Sequence, residues 1–200
     1  MGEDRPALAD QRDVETVYQP AEDSKLLADT AVPYAEEGDW VLDMGTGSGY
    51  VAHRLSEETG ATVVGSDLNP NACRQARDAG VPVVRGDMVT HFREDAFDVV
   101  VFNPPYLPTD PDREWDDWME AALSGGESGR EVIEPFLDDL RRVLAPDGDA
   151  FLLISSLTGI DAVREYARRH GLTTMELAEE SHPYERLVVL HLKPSGGADG

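Results

Sequence analysis

Phe97-Asp98-Val99-Val100-Val101-Phe102-Asn103-Pro104-Pro105-Tyr106 is an apolar run that ends in a stiff polar corner. Residues 97–102 read as a buried strand, because a run this short and apolar, rich in β-branched and aromatic side chains, suits a strand covered on both faces. Pro104 and Pro105 have no N–H and a fixed φ. The Asn103 side chain and the carbonyls beside it can therefore stand at the strand's carboxyl edge as acceptors. Two acceptors facing one pocket suit a planar NH2 group. The same Pro-Pro pair also reads as a plain strand terminator, so the neighbouring segments have to decide.

About sixty residues upstream, Val41-Leu42-Asp43-Met44-Gly45-Thr46-Gly47-Ser48-Gly49-Tyr50 repeats the pattern of a strand end that opens a helix, here expected over Val51 to Glu58. Glycines let the backbone approach a ligand, and the helix offers unpaired N–H groups. A dinucleotide fingerprint would need glycine where Tyr50 stands. Asp43, ahead of the first glycine, suits a ligand with an ammonium group better than one with a pyrophosphate. The following run, Ala61 to Ser66, ends in Asp67. That acid lies 24 residues after Asp43, close to the offset at which a carboxylate reaches ribose hydroxyls in βαβ nucleotide sites. Asp87, after Val81 to Gly86, falls at the next strand end, where an adenine amino group could be met. Each acid alone also reads as a helix cap or a solvated turn; four strand-end features in one order favour a built site.

Taken together, Asp43 to Gly49, Asp67, Asp87 and Asn103 to Tyr106 resemble the successive motifs of class I S-adenosylmethionine-dependent methyltransferases. The resemblance narrows to the glutamine methyltransferases of peptide-chain release factors, in their short archaeal and eukaryotic form. Val17-Tyr18-Gln19-Pro20-Ala21-Glu22-Asp23-Ser24 is similar to the N-terminal signature of that form, Gly125 to Ile133 to its segment after the catalytic loop, and Glu185 to Leu190 to its final strand. The likeness runs from about residue 14 to 193.

By that resemblance, Asp43 and the backbone of Gly45 and Gly47 would hold the methionine part of the cofactor, Asp67 its ribose, and Asp87 with Met88 its adenine. Ser24 would cover the carboxylate end. Asn103, Pro104, Pro105 and Tyr106 would form the catalytic corner, Asn103 also bordering the cofactor, with Tyr106 packed on the substrate amide or, alternatively, against Leu107 or Trp115. The resemblance further implies a release-factor substrate and a small zinc-binding activator on the edge strand near Val81 to Arg85. Only about 40 residues precede Val41, so the helical substrate-binding domain of the bacterial members is not expected ahead of it. Adenine or guanine N-methylation on nucleic acid, lysine methylation, and cofactor binding without catalysis are the competing readings. The first would need a target-recognition domain or a basic patch, and the only arginine cluster, Arg141, Arg142, Arg164, Arg168 and Arg169, reads as helix surface.

Composition narrows the classes further. Forty acids against seventeen bases give a net charge of −23, and only Lys25 and Lys193 are lysines. Such a surface is similar to those of proteins in a high-salt cytoplasm, where screening mutes self-repulsion, and it works against phosphate backbones at ordinary salt. One cysteine, Cys73, excludes an intrachain disulfide. The histidines show no ligand spacing, so no metal is expected. No apolar run approaches the roughly 18 residues that span a bilayer, and no basic apolar leader opens the chain, which sets the expectation of a cytoplasmic protein.

Two hundred residues suit one domain. We expect an acidic mobile arm over 1–12, a single domain over 13–194 and a disordered tail over 195–200. Within the domain the expected order is a helix from Glu22 to Tyr34, alternating strands and helices through Ala79, and strands at Val81 to Arg85 and Phe97 to Phe102. A polar loop from Leu107 to Gly126 should then lead to a helix over Gly129 to Leu144, stopped by Pro146-Asp147-Gly148. A strand over Ala150 to Ile154, a helix over Gly159 to His170 and a hairpin of Leu172 to Leu177 with Arg186 to Leu192 complete the chain. Such alternation predicts a doubly wound, mostly parallel seven-stranded α/β sheet with an antiparallel final strand, its ligands beyond the strands' carboxyl ends.

Overall fold

The structure, a computed structural model, describes residues 17, 22–108 and 124–196. The arm expected over 1–12, most of the loop between Leu107 and Gly126, and 197–200 lie outside the described residues. The elements are α1 (Glu22–Ala31) with a 3-10 turn (Val32–Tyr34), β1 (Trp40–Met44), α2 (Tyr50–Thr59), β2 (Thr62–Asp67), α3 (Pro70–Asp78), β3 (Val83–Arg85) and β4 (Phe97–Phe102). They continue with α4 (Ile133–Val143), β5 (Leu144–Ser155), α5 (Ile160–Arg169), β6 (Leu172–Ser181) and β7 (Arg186–Pro194).

The seven strands form one sheet in the order β3-β2-β1-β4-β5-β7-β6. Only β7 runs against its neighbours, as expected of the final strand. Alternate residues of each central strand feed two cores. Leu42, Val100, Phe102, Leu152 and Ile154 meet α4 and α5 on one face; Val41, Val99, Val101, Phe151 and Leu153 meet α1, α2 and α3 on the other. Coverage of both faces is why residues 97–102 read as a continuous apolar run. Helix ends follow local chemistry. Asn69 caps α3 by accepting from the Asn71 N–H at 2.9 Å, with Pro70 at the first helical position, and α5 places Asp161 in its first turn and Arg168 and Arg169 in its last, as the helix dipole favours.

Several boundaries differ from expectation: α1 stops at Ala31, where Pro33 tightens the chain into the 3-10 turn, β6 runs on to Ser181 rather than Leu177, and three others bear on the site. Pro146-Asp147-Gly148 does not separate a helix from a strand but bulges inside β5: Leu144 pairs with Phe97 and Asp149 with Val99, which leaves three more residues on β5 than on β4. Gly148 makes that bulge possible, since a Cβ there would lie 2.9 Å from the Asp98 carbonyl oxygen. Helix α4 begins at Ile133 rather than Gly129. Strand β3 is only three residues long, and Val81, expected to be exposed on it, is buried against α2 and α3 before the strand begins.

Residues ahead of α4 serve as a brace instead of a helical turn. Leu107 bridges to Ser124, the Gly125 N–H donates to the Leu107 carbonyl at 2.9 Å, and the Glu131 N–H donates to the Gly125 carbonyl at 3.0 Å. Gly129 (φ +72°) packs so tightly that a Cβ would sit 2.7 Å from the Tyr106 carbonyl oxygen. Gly60 has nearly the same φ, +73°, but its nearest neighbour is a Glu37 side-chain carbon at 3.7 Å. Gly60→Ala should therefore carry only the left-handed backbone penalty, about 1–2 kcal/mol. Gly129→Ala should lose that and more, because the Tyr106 backbone has to move. Urea unfolding of the two variants checks this, and equal losses would mean that the brace yields freely.

Candidate functional site

Between β1 and β4 the strand order reverses. Met44 lies opposite Phe102, so the Gly45 loop and the Asn103 corner leave the sheet side by side, at the position where doubly wound sheets open a crevice. A cleft of about 370 Å³ lies there. Ser24, Asp43, Gly45, Gly47, Asp67, Asp87, Met88, Asn103, Pro104, Pro105 and Tyr106, all singled out from sequence, line it.

The glycine loop is held by carboxylates. Asp43, 3% exposed, accepts from the Thr46 hydroxyl at 2.7 Å and the Ala52 N–H at 3.0 Å, both at Oδ2. Burial pushes its pKa up to about 7 against the pull of those bonds, with a smaller contribution from the nearby Asp67 charge. Asp67 accepts from the Gly47 N–H at 2.9 Å and the Asn69 N–H at 2.8 Å; burial raises its pKa also. One acid thus ties the β1 loop to the start of α3. Gly45 (φ +63°) has no room for a side chain, because a Cβ would lie 3.1 Å from the Phe102 ring. Asp87 is exposed at the rim, its N–H toward His91 Nε2 at 3.3 Å and its carbonyl accepting from the Thr90 hydroxyl. Met88 adopts φ +49°.

At the other wall, the Asn103 side chain donates from Nδ2 to Asp23 Oδ2 at 3.1 Å. Its Oδ1 is buried and has no hydrogen-bond partner among the described residues. Buried polar atoms are seldom left alone, so this oxygen marks where a donor is to be received. Tyr106 packs partly buried against the α1–α2–α3 core; Trp115, its alternative neighbour, lies outside the described residues. Ser24 is 7% exposed, and its N–H and hydroxyl both point to Asp23 Oδ1, at 2.6 and 3.3 Å.

Sequence reading missed Asp23, Thr46 and Leu68, which also line the cleft. Asp23 was quoted only as part of a signature, and its inward orientation depends on how α1 packs across the sheet end. Thr46 could have been found from its spacing to Asp43 across the turn. Leu68 is 51% exposed, and its apolar side chain directly after Asp67 was the available signal.

The cleft's charge selects its ligand. Asp23, Asp43, Asp67 and Asp87 line it, and among the described residues no lysine, arginine or histidine does. Such a wall repels a pyrophosphate and attracts a ligand bearing ammonium and sulfonium charges. S-adenosylmethionine is such a ligand, and the glycine cradle leaves room for close backbone approach.

Comparison with known proteins points the same way. A family model described as a methyltransferase domain matches residues 41–126. A Methanocaldococcus jannaschii protein assigned to the protein N5-glutamine methyltransferases is 32% identical over 182 residues, spanning 88% of this chain and 90% of its own. The human methyltransferase HEMK2 is 30% identical over 193 residues, 90% of each chain. Among solved structures, a chain of the E. cuniculi Mtq2–Trm112 complex, which is responsible for methylation of the eRF1 translation termination factor, superposes with a TM-score of 0.75 at 32% identity. It covers 90% of this chain and 99% of the other. With the cleft, its carboxylates and these near full-length relatives in hand, the chain belongs to the protein N5-glutamine methyltransferases, enzymes of the class I S-adenosylmethionine-dependent fold.

Proposed function

We propose that the protein methylates the side-chain nitrogen of the glutamine in the Gly-Gly-Gln loop of a class I peptide-chain release factor. The observation that carries this is the buried, unpartnered Asn103 Oδ1 beside two prolines on the cleft wall. A glutamine NH2 has two N–H groups to give; Asn103 Oδ1 takes one and the Pro104 carbonyl the other. A base NH2 on nucleic acid would meet the same acceptors. Yet no described cleft residue could neutralise a phosphate backbone, and the E. cuniculi relative acts on a termination factor.

S-adenosylmethionine supplies an electrophilic methyl group on a sulfonium. Asp43, whose two bonds both lie at Oδ2, would hold the ammonium of its methionine part through Oδ1, Ser24 the carboxylate, Asp67 the ribose, and Asp87 with Met88 the adenine. The backbone of Gly45 and Gly47 lies along the ligand. Asn103 and Pro104 fix the amide nitrogen in line with the methyl carbon and keep electron density on it, while Tyr106 packs against the amide plane. Bound S-adenosylmethionine would give up its methyl group to that nitrogen and leave as the neutral thioether, the nitrogen losing its proton to water afterwards. No described helix is long and apolar enough to cross a membrane.

A small activating protein, zinc-binding in the resemblance, is part of this proposal. Strand β3 pairs only with β2, and Val84 on it is 39% exposed, so strand addition could cover both the open backbone and the apolar side chain. The E. cuniculi relative is in complex with Trm112. We also infer a high-salt cytoplasm from the net charge of −23, and assays belong in concentrated KCl.

Three measurements test these assignments. Incubation of the cognate release factor with the enzyme and S-adenosylmethionine should add one methyl to the loop glutamine by mass spectrometry, and Asn103→Ala should slow that by about 10²-fold or more with cofactor affinity nearly unchanged. Methylation of nucleic acid or lysine instead would sink the substrate assignment. Because burial holds a proton on Asp43 up to about pH 7 in the free enzyme, a cationic ligand has to expel it. Cofactor affinity should thus be about tenfold weaker at pH 6 than at pH 8, with Asp43→Asn weakening binding and flattening the profile; a flat wild-type profile rejects the Asp43–ammonium contact. Val84→Asp should abolish co-purification with the cognate counterpart of the small Trm112 subunit. An isolated chain that is monodisperse and fully active, with a variant that behaves identically, removes the partner.

A further inference from the structure

We propose that Asp23 is a positioning residue that selects the one orientation of the Asn103 amide in which its oxygen faces the substrate. Asp23 is the second residue of α1 and 4% exposed. An acid in the first turn of a helix is usually a solvated partner of the helix dipole. Here it points into the protein, and Oδ2 accepts from Asn103 Nδ2, 80 residues further along the chain, at 3.1 Å. Oδ1 is held by the Ser24 N–H at 2.6 Å and the Ser24 hydroxyl at 3.3 Å. Both oxygens are engaged, and the carboxylate is fixed at the mouth of the β4 corner.

The two ends of an asparagine amide have nearly the same shape and opposite hydrogen-bonding character. Shape alone does not decide which end meets the substrate. An ionised carboxylate accepts and cannot donate, so it bonds the NH2 end and repels the carbonyl end. With Asp23 on one side, Asn103 Oδ1 has to lie on the other, where it is buried and unpartnered. Rotation of the amide by half a turn would set oxygen against oxygen at Asp23 and an NH2 group against the glutamine NH2 of the substrate. Neither contact binds. The acceptor at the reacting nitrogen is therefore set by α1, an element from the other end of the chain, which also explains why that helix begins at the cleft.

This inference rests on the glutamine-methylation reading, and the test keeps the two separable. In ¹⁵N-labelled protein the Asn103 side-chain NH2 resonances, identified by their loss in Asn103→Ala, report the contact without any substrate. Asp23→Ala should shift them clearly, and unshifted resonances overturn the proposal even if no methylation substrate is found. With the release factor as substrate, Asp23→Ala should lower kcat by about 10- to 100-fold, less than the roughly 10²- to 10³-fold that outright loss of a preorganised hydrogen-bonding group costs, and leave the cofactor Kd within about threefold of wild type. The double variant with Asn103→Ala should be no slower than Asn103→Ala alone, as for residues acting as one unit. Additive losses, or a defect confined to cofactor affinity and restored at saturation, would instead make Asp23 an independent cofactor ligand. Should Asp23→Ala fail to fold, the isosteric Asp23→Asn serves in the same measurements. An amide at position 23 can face Asn103 with either end, so a smaller kcat loss and two resolved Asn103 amide environments are expected, and wild-type kcat with a single environment refutes the assignment.

Discussion

The parallel pairing of β1 with β4 is the constraint from which the cleft follows. Met44 and Phe102 are register partners and the last residues of their strands, so two chain segments sixty residues apart leave the sheet at the same level. Gly45 turns sharply enough, and is small enough, to clear the Phe102 ring. A slip of two residues would keep every side chain on its proper face and still separate the glycine loop from the Asn103 corner by a strand step of about 7 Å. The two cores hold the register: Leu42 and Phe102 are locked into one, Val41 and Val101 into the other.

Concentrating carboxylates at one point of a chain of net charge −23 requires compensation, and backbone and side-chain donors supply it. Thr46 and Ala52 serve Asp43, Gly47 and Asn69 serve Asp67, and Ser24 and Asn103 serve Asp23. These bonds partly offset desolvation, which still raises the pKa of both Asp43 and Asp67. A ligand that brings positive charge relieves what is left. Elsewhere on the surface, ion pairs such as Arg54 with Asp29 and Glu58 or Arg186 with Glu176 and Glu179 are partly exposed to solvent, and surface pairs contribute little individually.

Most of the sheet was legible because it rests on local chemistry. Residues 97–102 are apolar enough to define β4 to the residue, and the strand-end acids could be ordered along the edge once a doubly wound sheet was inferred. Legibility ended where tertiary contacts overrule local signals. Pro146-Asp147-Gly148 carries every mark of a turn, yet β4 alongside draws it into β5 as a bulge. Val81 looks like part of an exposed edge strand, but the chain dips under α2 and α3 before β3 begins. Gly129, expected to open a helix, instead packs against the Tyr106 backbone, a contact across the loop that no local pattern encodes. Among site residues, those whose function follows from strand-end position were found, whereas Asp23 depends on a distant pairing.

The described cleft is built to accept hydrogen bonds, with Asn103 Oδ1 and the carboxylates of Asp23, Asp43, Asp67 and Asp87 along its wall. Asp23 is the carboxylate bonded to Asn103, and both of its oxygens already accept, from Ser24 and from Asn103. Each oxygen of Asp67 likewise accepts from one backbone N–H, which leaves lone pairs for a hydroxyl donor. Amide nitrogen has almost no affinity for a base before reaction, because its lone pair is delocalised, and becomes strongly acidic once it bears a fourth substituent. In the proposed reaction, neutral acceptors that hold this nitrogen by its own N–H groups would raise its electron density at the moment of transfer, with no proton removed in advance. A charged acceptor in place of Asn103 would add a fifth acid to a wall that already has four; in the proposed arrangement an amide oriented by one of those acids supplies an acceptor without the charge.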